Sequence, residues 1–152
     1  MSRKVRRTDI PDRVVGALPS SQEGPPWEFF DFVDARQCNV IEQWRLGLSK
    51  TGQANMDRQL DQLSQLPKSL WTRPRASALG DHIYVIRFKD ESGMQHRLFG
   101  HFVPGTRRFV LTLTGFEKDD KYYPADYEER AAKIRDVVNA DFKTHTKSRT
   151  TG

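Results

Sequence analysis

The chain has 152 residues, the length of a single domain, and can bury roughly two-thirds of its unfolded surface. Lys plus Arg number 25 against 20 Asp plus Glu, a formal charge of +5, and the composition is 36% hydrophobic, 30% charged and 11% aromatic, which excludes a disordered chain. The longest unbroken apolar run, Ile83 to Ile86, falls far short of the ~20 residues of a membrane-spanning helix. No apolar stretch follows the basic start, so no secretory signal is expected. The lone Cys38 excludes an internal disulfide and a Cys-based zinc site, and fits a reducing, cytoplasmic location.

The first segment, 1–26, carries Arg3, Lys4, Arg6 and Arg7 and then Pro11, Pro19, Gly24, Pro25 and Pro26, and predicts a flexible basic arm. The folded domain is expected over 27–142. Trp27 to Asp34 is aromatic-rich and partly alternating, a strand pattern. Val40, Ile41, Trp44 and Leu48 then recur at helical spacing, with Asn39 as N-cap and Gly47 near the stop. Met56, Leu60 and Leu63 mark a second helix ended by Pro67. Three strands follow near 82–89, 95–103 and 107–116, joined through Glu91-Ser92-Gly93 and Pro104-Gly105. A last helix is predicted from about Pro124, with Asp126, Glu128 and Glu129 in its first turn and an apolar face of Tyr127, Ala131, Ile134 and Val138. Residues 143–152 read as a disordered polar tail. The expected class is α+β: an antiparallel sheet of about four strands with an N-terminal helical hairpin and a C-terminal helix.

The charge is concentrated. Residues 67–118 hold nine basic and four acidic residues, a net +5 that equals the charge of the whole chain. Turn geometry then sets a register. With Glu91-Ser92-Gly93 as the loop, Arg87 opposes Arg97 and Ile83 opposes His101. With Pro104-Gly105 central to the next turn, Arg97 opposes Thr112 and His101 opposes Arg108. Alternation puts Tyr84, Ile86, Phe88, Leu98, Phe102, Phe109, Leu111 and Leu113 on a core face. The other face receives Arg87, Arg97, Phe99, His101, Arg108, Thr112 and Thr114, with no acidic residue in this register. Two opposed arginines cost up to about 1 kcal/mol relative to a neutral pair. Either the face binds an anion such as a nucleic-acid strand, or acidic residues from Asp119, Asp120 or the first helix neutralise it. His101 is a candidate proton shuttle. His82 and His96 fall on the opposite face, where no chemistry is expected. No metal-ligand spacing appears, so no metal or other cofactor is predicted.

Three segments carry a resemblance: Ile83-Tyr84-Val85-Ile86-Arg87-Phe88, then His96 to Phe102, then Phe109 to Phe116 with Lys118. They resemble the RelE/ParE toxin superfamily, most closely its phage-derived HigB-like branch. The matching positions are Tyr84, Arg87, Arg97, Gly115, Phe116, Lys118 and Pro124, with Trp44 in the helical hairpin. The similarity covers about 27–140 and implies a RelE-like fold. It also implies the toxin component of a type II toxin–antitoxin module, a metal-independent endoribonuclease that cuts mRNA on translating ribosomes. The implied partners are an antitoxin of helix-turn-helix type, mRNA and the ribosome, with no membrane. By this resemblance Arg87 and Arg97 grip the scissile phosphate and Lys118 adds positive charge. His101 is the candidate acid or base. Arg108, Phe99 and Lys121 belong to the RNA-binding face, and Tyr122 and Tyr123 stack on a base. Two alternatives stand beside this one: a non-cutting toxin such as a ParE-like gyrase poison, and a non-toxic phage-derived binding protein.

Overall fold

A computed structural model describes residues 26–149. The basic arm expected over 1–26 therefore lies outside the described residues, apart from Pro26. The chain runs β1 (Glu28–Phe32), α1 (Val40–Leu46), α2 (Lys50–Ser64), a 3-10 turn (Lys68–Leu70), β2 (Ala76–Ala78), β3 (Tyr84–Lys89), β4 (Gln95–Phe102) and β5 (Arg108–Lys118). It continues through β6 (Lys121–Tyr123), α3 (Tyr127–Ala140), α4 (Phe142–His145) and β7 (Thr146–Ser148). One seven-stranded sheet has the order β2-β3-β4-β5-β1-β7, with β6 paired to β5. Only the β1–β5 pairing is parallel among the described strands.

This corrects the expected sheet of about four antiparallel strands in a RelE-like arrangement. The mixed sheet of seven strands is flanked by helices on both faces. On one face α1 and α2 bury Ile41, Met56, Leu60 and Leu63 against Ile86, Phe88, Leu98 and Leu111. Trp71 is 2% exposed there, and its Nε1 donates to the Leu63 carbonyl at 3.1 Å. On the other face α3 sets Ala131 and Val138 against Ile83, Val85, Phe99, Leu113, Phe30 and Val110. Neighbouring residues in β3 and β4 alternate between these two clusters, as a pleated strand requires. The face expected to stay open is therefore largely covered.

Local chemistry sets the helix ends. The Asn39 side chain accepts from Glu42 N at 2.9 Å, the N-cap the sequence predicts. Ser49 does the same for α2. The helix α3 starts at Tyr127 with Asp126 at its N-cap, three residues beyond the predicted start at Pro124.

The register of β3 and β4 is as predicted, with Arg87 facing Arg97. The β4–β5 register is not. Phe99 faces Leu113, but Gly100 faces Leu111, so the register shifts and Thr112 is the extra residue of a bulge. Its Oγ1 donates to the Phe99 carbonyl at 3.1 Å. The β4–β5 turn is also longer than expected, so His101 faces Val110 rather than Arg108, and the bulge then sets Arg97 opposite Gly115 rather than Thr112. Leu113, expected beside Leu111 on one core face, moves to the α3 face. Gly100 permits this close approach, because a Cβ there would lie 2.1 Å from the Val110 carbonyl oxygen and 2.6 Å from the Phe109 ring.

The tail expected to be disordered from 143 onward instead forms the end of α4 and the edge strand β7, which pairs antiparallel with β1. Asp31 on β1 explains why. It is 3% exposed and needs a counter-charge. Arg149 supplies it, with Nη1 2.7 Å from Asp31 Oδ2 and Nη2 2.7 Å from Glu42 Oε1. Phe142 packs edge-on to Phe30 at 5.0 Å.

Two stability outcomes follow. Gly100→Ala drives a methyl into the Val110 carbonyl and is expected to cost about 2–3 kcal/mol, read as a lowered urea midpoint with an unchanged slope. Arg149→Ala leaves Asp31 without its cation and is expected to cost roughly 3 kcal/mol, with faster amide exchange in β1 and β7. An unchanged midpoint in Arg149→Ala would show that the C-terminal strand does not stabilise the sheet.

Candidate functional site

The bulge has a consequence at the far end of β5. Past Thr112, alternation carries Leu113, Gly115 and Glu117 on the α3 face. Glu117 thereby comes diagonal to Arg97, a distance that long side chains span. The β5–β6 turn, Asp119-Asp120, has φ of 54° and 62°, the left-handed pair of a two-residue hairpin. It sets Tyr122 directly opposite Glu117. One row of polar side chains thus crosses five strands: Ser77 from β2, Arg87 from β3, Arg97 from β4, Glu117 from β5 and Tyr122 from β6.

The row is held by hydrogen bonds among its members. Arg87 Nη1 donates to Ser77 Oγ at 2.8 Å and Nη2 to the Tyr122 hydroxyl at 2.5 Å. Its Nε is buried without a partner. Arg97 Nε donates to Glu117 Oε1 at 2.9 Å, and Nη2 lies 2.8 Å from the same oxygen in an ion pair. Its Nη1 donates to the His96 carbonyl and Nη2 to Gln95 Oε1, each at 2.8 Å. The two arginines are 7% and 4% exposed. Burial lowers the Arg87 pKa below its ordinary value, and the charges of Arg73 and Arg97 push it the same way against Tyr122. The group stays cationic in any case. Arg73 is exposed and adds positive charge beside the row.

The residues predicted from sequence divide. Arg87, Arg97 and Tyr122 are brought together, with Tyr122 engaged through its hydroxyl rather than free to stack on a base. Lys118 and Lys121 are exposed partners across the adjoining turn. Tyr123 instead stacks on Phe116 at 5.1 Å. Phe99 is fully buried and stacks on Tyr127 of α3 at 5.1 Å, so no base can reach it. Arg108 lies at the start of β5, its guanidinium over the Phe30 and Phe142 rings at 5.2 and 5.0 Å, at the other end of that strand from Glu117. His101 is 2% exposed, with neither ring nitrogen hydrogen-bonded. Burial, aided by the charge of Arg135, pushes its pKa down to about 4. It is a neutral core residue and not a proton shuttle.

Glu117 and Ser77 are the members that sequence reasoning missed. The neutralising carboxylate comes from neither Asp119, Asp120 nor the first helix. The one signal for Glu117 was Gly100, a glycine inside a strand pattern, which marks bulges and close backbone contacts.

A second polar region, a cleft of about 570 Å³, lies between α1, α2, β1 and β7. Its two arginines are paired: Arg149 joins Asp31 to Glu42, and Arg45 joins Glu42 to Asp57. Burial raises the Asp31 pKa, against the opposing effect of Arg149. This ladder fastens the C-terminal strand to the first two helices.

Among the described residues, no group of three or more His, Cys, Asp or Glu is placed to hold a metal ion, and no helix is long and apolar enough to cross a membrane. The chain matches no protein-family model, no curated protein and no solved structure.

The buried histidine gives a pH signature. The unfolded chain protonates His101 below about 6.5, whereas the folded chain resists until about 4. Unfolding therefore takes up a proton in that window, and stability falls with falling pH by up to about 3 kcal/mol. Urea midpoints near pH 7.5 and about pH 5 should separate for the wild type, and His101→Leu should remove this component. An equal separation in the variant would mean that another group carries the dependence.

Proposed function

We propose that this chain is the toxin of a type II toxin–antitoxin module and cleaves mRNA on translating ribosomes. The observation that carries the chemistry is Arg87. It is a buried guanidinium whose two partners, Ser77 Oγ and the Tyr122 hydroxyl, are neutral and whose Nε–H has none. A phosphodiester suits such a site. Phosphate oxygens accept from a guanidinium fork, and fixed cations stabilise the charge that develops on them in the transition state. The positive charge concentrated in residues 67–118 favours a polyanionic partner. The resemblance at Tyr84, Arg87, Arg97, Gly115, Phe116 and Lys118 supports the toxin assignment, action on the ribosome, and a helix-turn-helix antitoxin as partner.

Inducing the chain in bacteria while mapping mRNA 5′ ends tests this reading. Growth arrest with new ends inside translated frames is expected. Arg87→Ala should lower the yield of those ends by about 10²–10³-fold while leaving a folded protein. Arrest with intact mRNA and a DNA-damage response would assign a gyrase poison instead. Absence of arrest and of new ends would leave a binding protein.

A further inference from the structure

The helix α2 separates its charges by face. Asp57 and Asp61 line the cleft beside β1. Asn55, Arg58, Gln59 and Gln62, at i, i+3, i+4 and i+7, share another side. There a groove of about 210 Å³ opens between α2 and the end of β3, lined by those four residues with Phe88 and Lys89. Its amides are anchored on the sheet. Asn55 Nδ2 donates to the Lys89 carbonyl at 2.8 Å, and Gln59 Nε2 to the Arg87 carbonyl at 2.6 Å. The amides in turn hold the cations. Arg58 Nη1 donates to Asn55 Oδ1 at 2.8 Å, and Arg75 Nε, from the residue before β2, to Gln62 Oε1 at 3.2 Å. Arg58, Arg75 and Lys89 are all exposed. None has a carboxylate partner among the described residues. The adjacent Asp90 is engaged with Ser92 and His96 instead.

Three exposed cations oriented by neutral amides suit the phosphates of a polyanion, which reaches them without entering the core. The one ring in the groove, Phe88, is 7% exposed. Unpaired bases therefore find no platform to stack on, which favours a duplex backbone over a single strand. The amides select the sugar. Gln59 Oε1 and Gln62 Nε2, an acceptor and a donor, make no hydrogen bond among the described residues. A 2′-hydroxyl both donates and accepts, and an A-form RNA duplex displays such groups along its wide, shallow minor groove, where a DNA duplex has none. We infer that the groove between α2 and β3 binds the sugar–phosphate backbone of double-stranded RNA. Arg58, Arg75 and Lys89 meet phosphates, and Gln59 and Gln62 meet 2′-hydroxyls. This surface is separate from the row on β2 to β6 and binds whether or not the chain cuts RNA.

Fluorescence anisotropy of the full chain with a blunt RNA duplex of mixed sequence, over a series of salt concentrations, tests this. Replacing Arg58, Arg75 and Lys89 together by Ala should weaken binding and flatten the dependence of log Kd on log salt by about 1 per cation, about 3 in all. Lys89→Ala alone, which removes no side-chain hydrogen bond, should flatten it by about 1. Arg58→Lys with Arg75→Lys should keep the wild-type slope, because phosphate contact needs the charge. Gln59→Ala with Gln62→Ala should keep the slope too, but lower the affinity for RNA to that for a DNA duplex of the same sequence. Lys133→Ala, on the exposed side of α3, should change neither. A Lys89→Ala variant and a folded triple variant that both retain the wild-type slope overturn the inference. So does equal wild-type affinity for the DNA duplex, or tighter binding of the single strand. Displacement of the duplex by polyglutamate at a lower concentration than by unlabelled duplex would assign the groove to an acidic protein segment and overturn it as well. Duplex binding by a chain that cuts no mRNA in cells would remove only the earlier reading.

Discussion

Two guanidinium groups facing each other inside a sheet are the constraint on which this end of the molecule depends. Each buried ion carries a desolvation cost of several kcal/mol, and a partner repays it only when hydrogen-bond geometry is good. Like charges directly opposed add to that cost. The chain answers with groups from three further strands. Glu117 compensates Arg97 with charge, while Ser77 and Tyr122 offer Arg87 only dipoles. The short strands β2 and β6, with three residues each, contribute little hydrophobic burial. Their role is to bring a hydroxyl to either side of Arg87.

That arrangement depends in turn on a single extra residue. Without the bulge at Thr112, the pairing of His101 with Val110 would have continued to set Arg97 opposite Thr114 and left Leu113 beside Leu111. With it, Leu113 joins the α3 cluster and Glu117 comes within reach of Arg97. The absence of a side chain at Gly100 makes room, and the Thr112 hydroxyl satisfies the Phe99 carbonyl where the ladder is disturbed. One backbone irregularity therefore links the packing of α3 to the composition of the candidate site. It lies far enough away along β5 that no local pattern around Glu117 betrays it.

This explains what could be read in advance. The helices α1 and α2 were legible because apolar spacing and side-chain caps are local. The Arg87–Arg97 register was legible because a short turn fixes it. The bulge was not, since turn counting assumes continuous pairing. The strands β2, β6 and β7 were too short for alternation to show. His101 illustrates the opposite error. Its intrinsic chemistry suggested proton transfer, but α3 and the sheet exclude water from it and hold it neutral. The C-terminal residues looked like a tail because their polarity was visible while their partner was not: Arg149 pairs with Asp31 from the opposite end of the described chain.

The contrast between the two polar regions decides where function belongs. In the cleft beside β1, carboxylates and guanidiniums alternate from Asp31 through Arg149, Glu42 and Arg45 to Asp57. Both guanidiniums there have their anions, so a ligand that binds them must break an ion pair before it forms one. The row on β2 to β6 differs at one position. Arg97 is balanced, but Arg87 keeps a cation and an unpaired N–H against neutral partners, with Arg73 adding to the same potential. An anion placed there relieves a cost the fold already bears, instead of adding one. Structure and electrostatics are thus divided across the sheet. One edge is closed by compensated charge that ties β7 to β1 and α1, and the other retains a deficit of negative charge that a phosphate can fill.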